Sequence, residues 1–597
     1  MPNRSRWRRF ALVACFGALL CLPGLGRPAL WEPDEGRYAE IAREMLLRGD
    51  YLTPHDDWVR YFEKPPLMYW LTAASVRAFG PGEFAVRLPV ALFSVGEIIL
   101  AAAVSGAMFG VETIVPAALC LGLSPLFFGY GRFLTLDPAL AFFITAGLAA
   151  VYVGLREATL AGGQPRAWFV AAAASAAMGT LVKGPVALVL IAGVALVYMA
   201  LDGQTKRLWQ IPWVWCTATY ALIALPWFAM VERRNPDFAR FFIVHEHIER
   251  YLRSTEHSWG AWFLPAVAIG GAWPWVCFVP FALKGYRSDS DPSRRSAVKF
   301  LVTWVCCVVI FFSAARSKLG SYVLPAIPPM AVLAGYGMVR AREWASGASR
   351  SLTVPAVALN TIVGLIAVVA AVLLTLCAAG VPQVLQWLTE WRMLGARVAG
   401  FCANPAAARL GSEVAASVAV LSACGALSVA FSRGRWRRAD LAVAAVGGFA
   451  AMALLIKARN DASPLGSYRR LAQAIHAPLE QGCVLASYRH FVQSLPFYTG
   501  AREALVSYRG ELEPFSRSLD ARASFINNDA DLLALWRSSQ CVILIADRQY
   551  LPDLAKFLSP APQAVASEGQ KVALSNQVAP RLGMPPAGAT RELLPRD

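Results

Sequence analysis

Long apolar segments, separated by short polar loops, follow one another along most of this chain. Many of them reach the roughly twenty residues that a helix needs to cross a lipid bilayer. Between 167 and 201 the chain is almost wholly apolar and is broken at Lys183-Gly184-Pro185, where we expect the tip of a hairpin between two short helices. The pattern predicts about thirteen membrane spans. They cover residues 9–26, 83–108, 111–130, 135–155, 167–182, 184–201, 210–231, 259–283, 298–314, 321–339, 352–379, 412–432 and 439–457.

The composition supports this pattern. Hydrophobic residues make up 57% of the 597 residues and charged residues only 16%, whereas a soluble domain carries about 25% charged residues. The mean hydropathy is +0.46, and these values exclude a cytosolic enzyme, a disulfide-rich miniprotein and a disordered scaffold. The net charge of +17 does not indicate nucleic-acid binding, because the arginine clusters adjoin apolar spans. We therefore predict a polytopic α-helical membrane protein.

The lysine and arginine residues indicate how the spans are oriented. Under the thirteen-span pattern the basic clusters fall in alternate loops on one side, which the positive-inside rule makes cytoplasmic. The N-terminus is then inside and the C-terminal region is outside. The first span resembles a signal peptide, but no small-residue cleavage site follows it, so we expect an uncleaved anchor. The basic clusters lie within residues 4–9, 156–166, 206–207, 284–299, 340–350 and 433–438.

The first outer region is the loop from about 27 to 82, which is dense in charge. The spacing of its apolar residues predicts a helix from Pro33 to Gly49, because proline suits a first turn and glycine suits a stop. We expect this helix to lie on the membrane surface. A second amphipathic stretch runs from Leu67 to Phe79.

The second outer region runs from about 460 to 597, and its short apolar runs alternate with helical stretches. This alternation predicts a small periplasmic α/β domain, which ends in a disordered proline-rich tail. Cys483 and Cys541 each open a strand-like run on the oxidising side, so a disulfide between them is one option. We therefore divide the chain into a transmembrane catalytic domain, 1–459, and a periplasmic domain, 460–597. The loops 27–82 and 232–258 of the first domain carry candidate site residues.

Two carboxylates stand beside the outer ends of predicted spans. Asp34 and Glu35 follow the first span, where a helix dipole would stabilise both acids. Alternatively, Asp34 orients a nucleophile or stabilises a developing sugar cation. Asp137 precedes a proline where a span begins, so it is either the N-cap of that helix or a carboxylate of the site. The residue pattern leaves both interpretations open for each acid.

Two further motifs place charged side chains in the outer loops. In YFEKPP, residues 61–66, the prolines stiffen the backbone behind Glu63 and Lys64 and direct both side chains, although a solvated turn could hold the same residues. In HEHIER, residues 245–250, metal-capable side chains are close together. A surface helix with salt bridges explains that run. A divalent ion such as zinc, held by His245 with Glu63, is a weaker alternative.

Positive charges on the outer side run against the topology rule and require another reason. A cluster of lysine and arginine residues would suit a phosphate at the membrane surface. Glycosyl transfer from a lipid phosphate produces such a charge, because the departing phosphate gains negative charge as its bond breaks. Cationic side chains can then replace a general acid. The cluster consists of Lys64, Lys183, Arg250, Arg316 and Lys318, and Tyr322 follows it.

Several segments, taken together, resemble those of one known family. They are WEPDEGRYAEIAREM, YFEKPPLMYW, RLPV, TLDPALAFF, LVKGP, the H..ER run at 245–250 and SKLGSYVLPAIPP, in the expected order from about residue 31 to 329. In these segments the chain resembles the bacterial lipid A aminoarabinose transferases, the ArnT family, within the wider group that includes protein O-mannosyltransferases. The match is strong for the membrane core and weak for the C-terminal region.

The resemblance implies an inverting glycosyltransferase of the GT-C type in the bacterial inner membrane. Such an enzyme would move 4-amino-4-deoxy-L-arabinose from undecaprenyl phosphate to lipid A phosphate at the periplasmic face, with no required cofactor. The resemblance makes Asp34, Asp137 and Glu63 the candidate catalytic residues. The candidate substrate-binding residues are Arg37, Tyr38, Tyr61, Lys64, Lys183, Arg250, Arg316, Lys318 and Tyr322.

Rival functions remain at this point. Related transferases with another sugar, or with a protein or glycan acceptor, share most of these motifs. A lipid transporter would place charged residues near the bilayer midplane in related halves, whereas the charge here gathers in outer loops. One acid, Glu97, does lie inside a predicted span, and we assign it no role. A structural assembly protein would leave Asp34 and the EKPP motif unexplained. We expect membrane lipids, and no nucleic acid, as further partners.

Overall fold

The architecture comes from a computed structural model, in which the chain is mostly helical and carries one larger β-sheet. The structure describes residues 2–158, 163–249, 259–343, 350–378, 405–431, 439–517 and 521–577. The predicted disordered tail lies almost entirely outside these residues.

The chain divides into two compact units. Unit 1 comprises Met1–Leu25, Glu63–Met68 and Arg87–Arg459, and unit 2 comprises Gly26–Phe62, Tyr69–Val86 and Asn460–Asp597. The sequence-based division places the loop 27–82 in the transmembrane domain. The structure instead groups most of that loop with the C-terminal residues, to which its backbone and side chains hydrogen-bond.

Apolar helices make up nearly all of unit 1. Prolines stand in the first turn of several of them, where the missing N–H costs no helical hydrogen bond. In chain order the α-helices of the described residues are α1 (Pro2–Cys21), α2 (Asp34–Arg48), α3 (Leu67–Phe79), α4 (Glu83–Phe109), α5 (Ile114–Gly122), α6 (Pro125–Tyr130), α7 (Asp137–Glu157), α8 (Pro165–Lys183), α9 (Val186–Leu201), α10 (Trp213–Arg234), α11 (Phe263–Gly271), α12 (Val279–Ser288), α13 (Pro292–Ala314), α14 (Ile327–Glu343), α15 (Arg350–Ala378), α16 (Pro405–Phe431), α17 (Asp440–Gly466), α18 (Arg469–Glu480), α19 (Ser494–Thr499), α20 (Asp529–Arg537) and α21 (Leu551–Phe557).

The number of membrane spans depends on how short and bent helices are counted. Within the described residues, 8 helices are long and apolar enough to cross a bilayer, or 9 if the bent pair at 263–286 forms one span. Two shorter apolar helices, Val111–Gly122 and Val186–Leu201, add to these. The polytopic architecture is therefore confirmed, and the count of thirteen stays a prediction.

The predicted hairpin between 167 and 201 is confirmed. Helix α8 ends at Lys183 and α9 begins at Val186. Gly184 between them has a φ of +85°, a conformation that residues with a Cβ rarely adopt. The turn therefore holds Lys183 at the very end of α8, with its side chain beyond the apolar part of the helix.

Helix α14 is buried along almost its whole length. Its Gly335 allows a close approach to α5, because a Cβ there would lie 2.6 Å from the backbone nitrogen of Ala117. The ring of Tyr336 stacks on Phe109 with centroids 4.0 Å apart. This packing anchors the 3₁₀ helix Gly320–Ala326, which directly precedes α14 and carries Tyr322.

Unit 2 contains a six-stranded mixed sheet with the strand order β5-β4-β3-β6-β8-β7. The strands β3 to β6 pair in parallel, and β8 runs antiparallel to β6 and β7. A separate two-stranded hairpin, β1–β2, lies in the first outer loop. The strands are β1 (His55–Asp56), β2 (Val59–Arg60), β3 (Val484–Tyr488), β4 (Glu503–Val506), β5 (Phe525–Ile526), β6 (Val542–Asp547), β7 (Gln563–Glu568) and β8 (Lys571–Ser575).

Helices cover both faces of the larger sheet. In β6, Ile543 and Ile545 point to a core that includes α18 and α19, while Leu544 points to a second core that includes α20 and α21. This alternation is the period of two expected of a strand, here buried on both sides. The predicted α/β domain is confirmed.

A disulfide joins Cys483 and Cys541 at the starts of the neighbouring strands β3 and β6, with their Cα atoms 4.5 Å apart. The sequence leaves this pairing open, and the structure makes it. The two cysteines are 58 residues apart in the chain, so the bond closes a long loop of unit 2.

Helix α2 has the predicted limits. It follows Pro33 and ends at Gly49, which has a φ of +63°. The surroundings of the helix differ from the expectation, since charged side chains of α2 such as Glu40 and Glu44 are fully buried inside unit 2. Helix α2 is therefore part of the core of unit 2 and does not lie on a surface as expected.

Candidate active site

Asp137 and Lys183 meet within unit 1. Asp137 is the first residue of α7, and Lys183 is the last residue of α8. The Lys183 Nζ donates to Asp137 Oδ1 at 2.5 Å, and both side chains are largely buried. Leu136 occupies the N-cap position, so Asp137 acts as an ion-pair partner more than as a helix cap. Removing either partner would leave a buried charge poorly compensated.

An aromatic ring completes this group. The Lys183 Nζ lies 5.0 Å from the ring centroid of Tyr322, a distance at which a cation and a ring attract each other. Tyr322 in turn packs against Phe312 at the end of α13, with ring centroids 5.1 Å apart. The structure thus brings Asp137, Lys183 and Tyr322 together within unit 1.

The other two predicted cations of this region differ in exposure. Lys318 is buried, and its Nζ donates to the backbone carbonyl of Ala315 at 2.5 Å. Arg316 is exposed. Both lie in the segment that joins α13 to the 3₁₀ helix, four to six residues before Tyr322. This segment therefore holds one inward-facing and one outward-facing cation.

Glu63 and Lys64 of the YFEKPP motif belong to an ion-pair network inside unit 1. The Lys64 Nζ lies 3.0 Å from Glu246 Oε2 and 3.6 Å from Glu63 Oε2. It also donates to the carbonyl of Glu63 at 3.1 Å. The solvated-turn alternative does not fit this packing, because Glu63 is buried. Lys64 is instead held between two carboxylates.

The metal alternative gains no support from this geometry. His245 lies in the π-helix Arg240–Glu249, and its Nδ1 is 3.1 Å from Glu249 Oε2, with both side chains well exposed. Glu63 pairs with Lys64 instead. Within the described residues there is no group of three or more His, Cys, Asp or Glu side chains that could hold a metal ion, so these residues do not fit a zinc site. Arg250 lies outside the described residues.

Asp34 belongs to a second group, inside unit 2. It opens α2, and its Oδ1 lies 3.5 Å from Arg37 Nη1 one helical turn further on. Arg37 is buried and also pairs with Glu511 at 2.6 Å, while its Nη1 donates to the Tyr61 hydroxyl at 3.4 Å. Asp34 keeps 45% of its side chain exposed. A buried arginine therefore positions a carboxylate that remains accessible.

The neighbouring residues of α2 have structural contacts. Glu35 is fully buried, and its carboxylate accepts a hydrogen bond from the backbone N–H of Trp31 at 3.0 Å. Tyr38 is also buried, and its ring packs against Tyr69 with centroids 5.8 Å apart. The adjacent acids Asp34 and Glu35 thus have different surroundings, a distinction that the sequence does not reveal.

Further acids of unit 2 are buried around the hairpin β1–β2. Burial, together with the neighbouring Glu40 charge, raises the pKa of Glu44 to about 8. Burial likewise raises the pKa of Glu503 to about 8. The pKa values of Asp56 and Asp57 are also raised well above their usual range by burial. These acids therefore tie the folding of unit 2 to proton binding.

Two family models match separate parts of the chain. The family described as "Dolichyl-phosphate-mannose-protein mannosyltransferase" matches residues 7–242, and the "Aminoarabinose transferase C-terminal domain" matches residues 471–576. The first match covers Asp34, Glu63, Lys64, Asp137 and Lys183. The second covers all six strands of the larger sheet of unit 2.

Relatives and solved structures match as well. A protein named undecaprenyl phosphate-alpha-4-amino-4-deoxy-L-arabinose arabinosyl transferase from Pseudomonas aeruginosa (strain UCBPP-PA14) is 33% identical over 353 residues, which are 57% of this chain and 61% of the relative. One of the same name from Serratia proteamaculans (strain 568) is 34% identical over 369 residues, which are 61% of this chain and 64% of the relative. The chain thus matches about three fifths of the length of these curated relatives. A crystal structure of ArnT from Cupriavidus metallidurans bound to undecaprenyl phosphate matches over 95% of this chain and 98% of that one, with a TM-score of 0.79 and 26% identity. In sequence and in fold the chain is therefore similar to the ArnT family.

The likeness to the ArnT structure confirms the predicted fold of GT-C type with a C-terminal α/β domain. The structure adds two acids to the candidate residues of this ArnT-like chain. Glu246 is the partner of Lys64, and Glu511 is the partner of Arg37. Glu246 lies inside the HEHIER run, which the sequence already marks as a group of charged side chains. Glu511 lies far along the chain in a segment with no motif, and only the folded chain reveals it.

Proposed function

We propose that this protein is an inverting membrane glycosyltransferase that moves 4-amino-4-deoxy-L-arabinose from undecaprenyl phosphate to a phosphate of lipid A. The observation that carries the proposal is the match over 95% of the chain to an ArnT structure whose bound ligand is undecaprenyl phosphate. The names of the relatives from Pseudomonas and Serratia support the sugar. The resemblance of the outer-loop motifs supports the lipid A acceptor.

The proposed reaction exchanges one bond at the anomeric carbon of the sugar. The bond from that carbon to the oxygen of the donor phosphate breaks, and undecaprenyl phosphate leaves with the electron pair. A phosphate oxygen of lipid A attacks the same carbon from the opposite face, so the configuration inverts. Because the acceptor is already anionic, it needs positioning and charge screening more than a strong base.

In this proposal Lys183 stabilises the leaving phosphate. Its ammonium is desolvated between Asp137 and the ring of Tyr322, and a cation in such surroundings interacts strongly with an arriving negative charge. Asp137 holds the ammonium in place when no phosphate is bound. Lys64, held between Glu63 and Glu246, is proposed to bind a phosphate in a similar way, and the remaining basic residues Arg250, Arg316 and Lys318 would assist.

Asp34 is proposed to act on the sugar. Positive charge develops on the ring as the bond to the leaving phosphate breaks, and a nearby carboxylate stabilises that charge. The accessible position of Asp34 and its contact with the buried Arg37 support this role. Tyr38 follows Arg37 in the chain, and the hydroxyl of Tyr61 accepts a hydrogen bond from Arg37. Both tyrosines are proposed to shape the binding surface. No step is assigned to a metal ion, because His245 and Glu63 pair with other side chains and the described part of the chain holds no metal-binding group of three.

We further propose that the protein resides in the bacterial inner membrane, with the site facing the periplasm. The distribution of lysine and arginine supports this orientation. The disulfide between Cys483 and Cys541 also supports it, because such bonds persist in an oxidising compartment. A reporter enzyme that works only in the periplasm, fused after residue 577, should be active. Activity of a reporter that works only in the cytoplasm, fused at the same position, would show that the proposed orientation is wrong.

The proposed reaction can be tested with purified protein in detergent. Undecaprenyl phosphate aminoarabinose and lipid A are supplied, and the products are followed by mass spectrometry. Lipid A should gain one aminopentose for each undecaprenyl phosphate released. Transfer of a different polyprenyl-linked sugar, or transfer to a protein or glycan in place of lipid A, would assign the protein to another specificity within the same chemistry.

A further inference from the structure

A second cavity lies at the other end of the unit 1 helices. It has a volume of about 570 Å³, within the range of ligand-binding pockets. Arg156 in the last turn of α7 lines it, whereas Asp137 opens the same helix of 21 residues. At 1.5 Å per residue the two ends of α7 are roughly 30 Å apart. The cavity is therefore separate from the Asp137–Lys183 pair and lies at the membrane face that carries the basic loops.

The lining of this cavity is strongly basic. Lys299 pairs with Asp202 at 2.7 Å, and Asp202 is the one carboxylate among the described lining residues. The nearby acids Asp289 and Asp291 lie outside the lining and pair with Arg294 at 3.7 and 3.6 Å. Positive charge thus exceeds negative charge in the cavity by three. The four cationic residues of the lining are Arg156, Arg207, Arg295 and Lys299.

Hydroxyl groups accompany these cations. Arg295 and Ser296 lie in the first turns of α13 and line the cavity. The hydroxyls of Ser296 and Tyr198 are 2.6 Å apart, and those of Tyr152 and Tyr286 belong to the same lining. Guanidinium and ammonium groups combined with hydroxyl donors are the groups that bind phosphate oxygens. The chemistry of the cavity therefore fits a phosphate-bearing ligand.

The surroundings of the cavity favour a lipid over a soluble phosphate. On α9, next to the lining residue Tyr198, Leu196 and Leu201 are exposed large aliphatic side chains. Trp209 and Trp213, shortly after the lining residue Arg207, are exposed as well. Tryptophan is typical of the level of lipid headgroups, and aliphatic side chains beside it contact acyl chains. A ligand with a phosphate and acyl chains would use both surfaces.

We propose that this cavity binds the headgroup of an anionic phospholipid at the membrane face opposite the Asp137–Lys183 pair. The headgroup phosphate is held by the four cationic residues, and the acyl chains lie along the exposed aliphatic face of α9. Basic pockets between helices at this level are typical binding places for such headgroups. The bound lipid would fix the packing of α7, α9 and α13. At their other ends, α7 begins at Asp137, α9 follows the turn after Lys183, and α13 leads into the segment with Lys318.

The test compares two purified double variants of the full chain. Arg156→Gln/Arg295→Gln removes two exposed charges from the cavity. Arg166→Gln/Lys206→Gln removes two exposed charges from the same membrane end that do not line the cavity. Binding of cardiolipin in detergent micelles is measured by native mass spectrometry and by the shift of the thermal midpoint, and phosphatidylethanolamine and inorganic phosphate serve as the other two probes.

Cardiolipin should bind the unaltered protein and the control variant alike, and the cavity variant should bind it about tenfold more weakly or worse. Phosphatidylethanolamine should cause little shift. Equal cardiolipin affinity in both variants, or no cardiolipin binding by the unaltered protein, would overturn the proposal. An equal shift with inorganic phosphate alone would identify a soluble anion as the ligand and also overturn it. If the double cavity variant does not fold, Arg295→Gln against Arg166→Gln gives the same comparison. Since binding is the readout, the result is independent of the proposed transferase activity.

Discussion

Asp34 and Glu35 are adjacent in the chain, yet their side chains have different environments. Glu35 is buried and accepts a hydrogen bond from the backbone of Trp31. Asp34 is half-exposed, and its carboxylate lies beside the guanidinium of Arg37. The same helix dipole acts on both acids. Their separate environments therefore allow a substitution test that holds the dipole nearly constant.

We predict that Asp34→Asn lowers the transfer rate by orders of magnitude while the thermal midpoint hardly changes. The substitution keeps the shape of the side chain and removes the charge that would stabilise the sugar cation. Glu35→Gln should keep most of the rate, because glutamine can still accept the hydrogen bond from Trp31. Sugar transfer is measured in detergent at equal protein concentration. Equal and mild losses at both positions would show that the dipole explains Asp34, and Asp137 would become the better candidate.

Lys64 allows a second test at the residue scale. We predict that Lys64→Ala lowers transfer by roughly 2–4 kcal/mol of transition-state stabilisation, similar to the loss of an oxyanion donor. However, this substitution also removes a partner of the buried Glu246, which could itself disturb the site. The double variant Lys64→Ala/Glu246→Gln separates the two effects. Transfer should remain slow in the double variant, whereas recovery to the normal rate would mean that Lys64 only neutralises Glu246.

At the scale of secondary-structure elements, the sequence predicts α2, α3 and the main strands of unit 2 well. Proline and glycine mark the ends of α2, and runs of apolar residues mark β3 and β6. The hairpin β1–β2 is missed, because its turn residues are Asp57 and Trp58, at φ of +51° and +68°. Turns of this kind usually contain asparagine and glycine. Here contacts that are distant in sequence hold the turn.

These contacts are specific. The carboxylate of Glu44 accepts a hydrogen bond from the N–H of Trp58 at 2.9 Å. Asp57 accepts one from the N–H of Glu503, 446 residues away, at 2.8 Å. The hydroxyl of Ser524 donates to the carbonyl of Asp57 at 2.7 Å. No local pattern predicts such pairs, which is why the sequence-based boundary assigned this loop to the other domain.

The buried acids make the stability of unit 2 depend on pH. The folded pKa of Glu503 is about 8, against an ordinary value of 4.5, so the folded state keeps a proton that the unfolded chain loses. Stability should therefore fall as pH rises from about 4.5 to about 8, and then level off. Glu503→Gln should flatten this slope by on the order of a few kcal/mol across the window. The thermal midpoints of both proteins are measured from pH 5 to 9. Equal dependence of the midpoint on pH in the two proteins would contradict the raised pKa of Glu503.

The disulfide gives another prediction at the scale of elements. It closes a loop of 58 residues across β3 and β6, so replacing both cysteines by serine should destabilise unit 2 by about 2–4 kcal/mol. A reducing agent should lower the thermal midpoint of the unaltered protein and leave that of the double variant unchanged. Cys15→Ser, at an exposed free cysteine in α1, is the control. An unchanged midpoint on reduction of the unaltered protein would mean that the bond contributes little.

For the whole molecule, periodicity and composition suffice to predict a polytopic membrane protein with a C-terminal α/β domain, because both depend on patterns that repeat over many residues. The candidate site is only partly predictable. Motifs single out Asp137 and Lys183 one by one, and their ion pair appears only once α7 and α8 are packed. Glu511, the partner of Arg37, lies in a segment without a motif.

The central claim is that this protein adds an aminopentose to lipid A. Its most direct test is mass spectrometry of lipid A from a bacterial strain that lacks such a transferase and supplies the undecaprenyl-linked donor. Expression of the unaltered protein should add the mass of one or two aminopentose units to lipid A, and expression of Asp34→Asn at an equal level should add none. Lipid A of unchanged mass in cells that contain the unaltered protein and the donor would contradict the account.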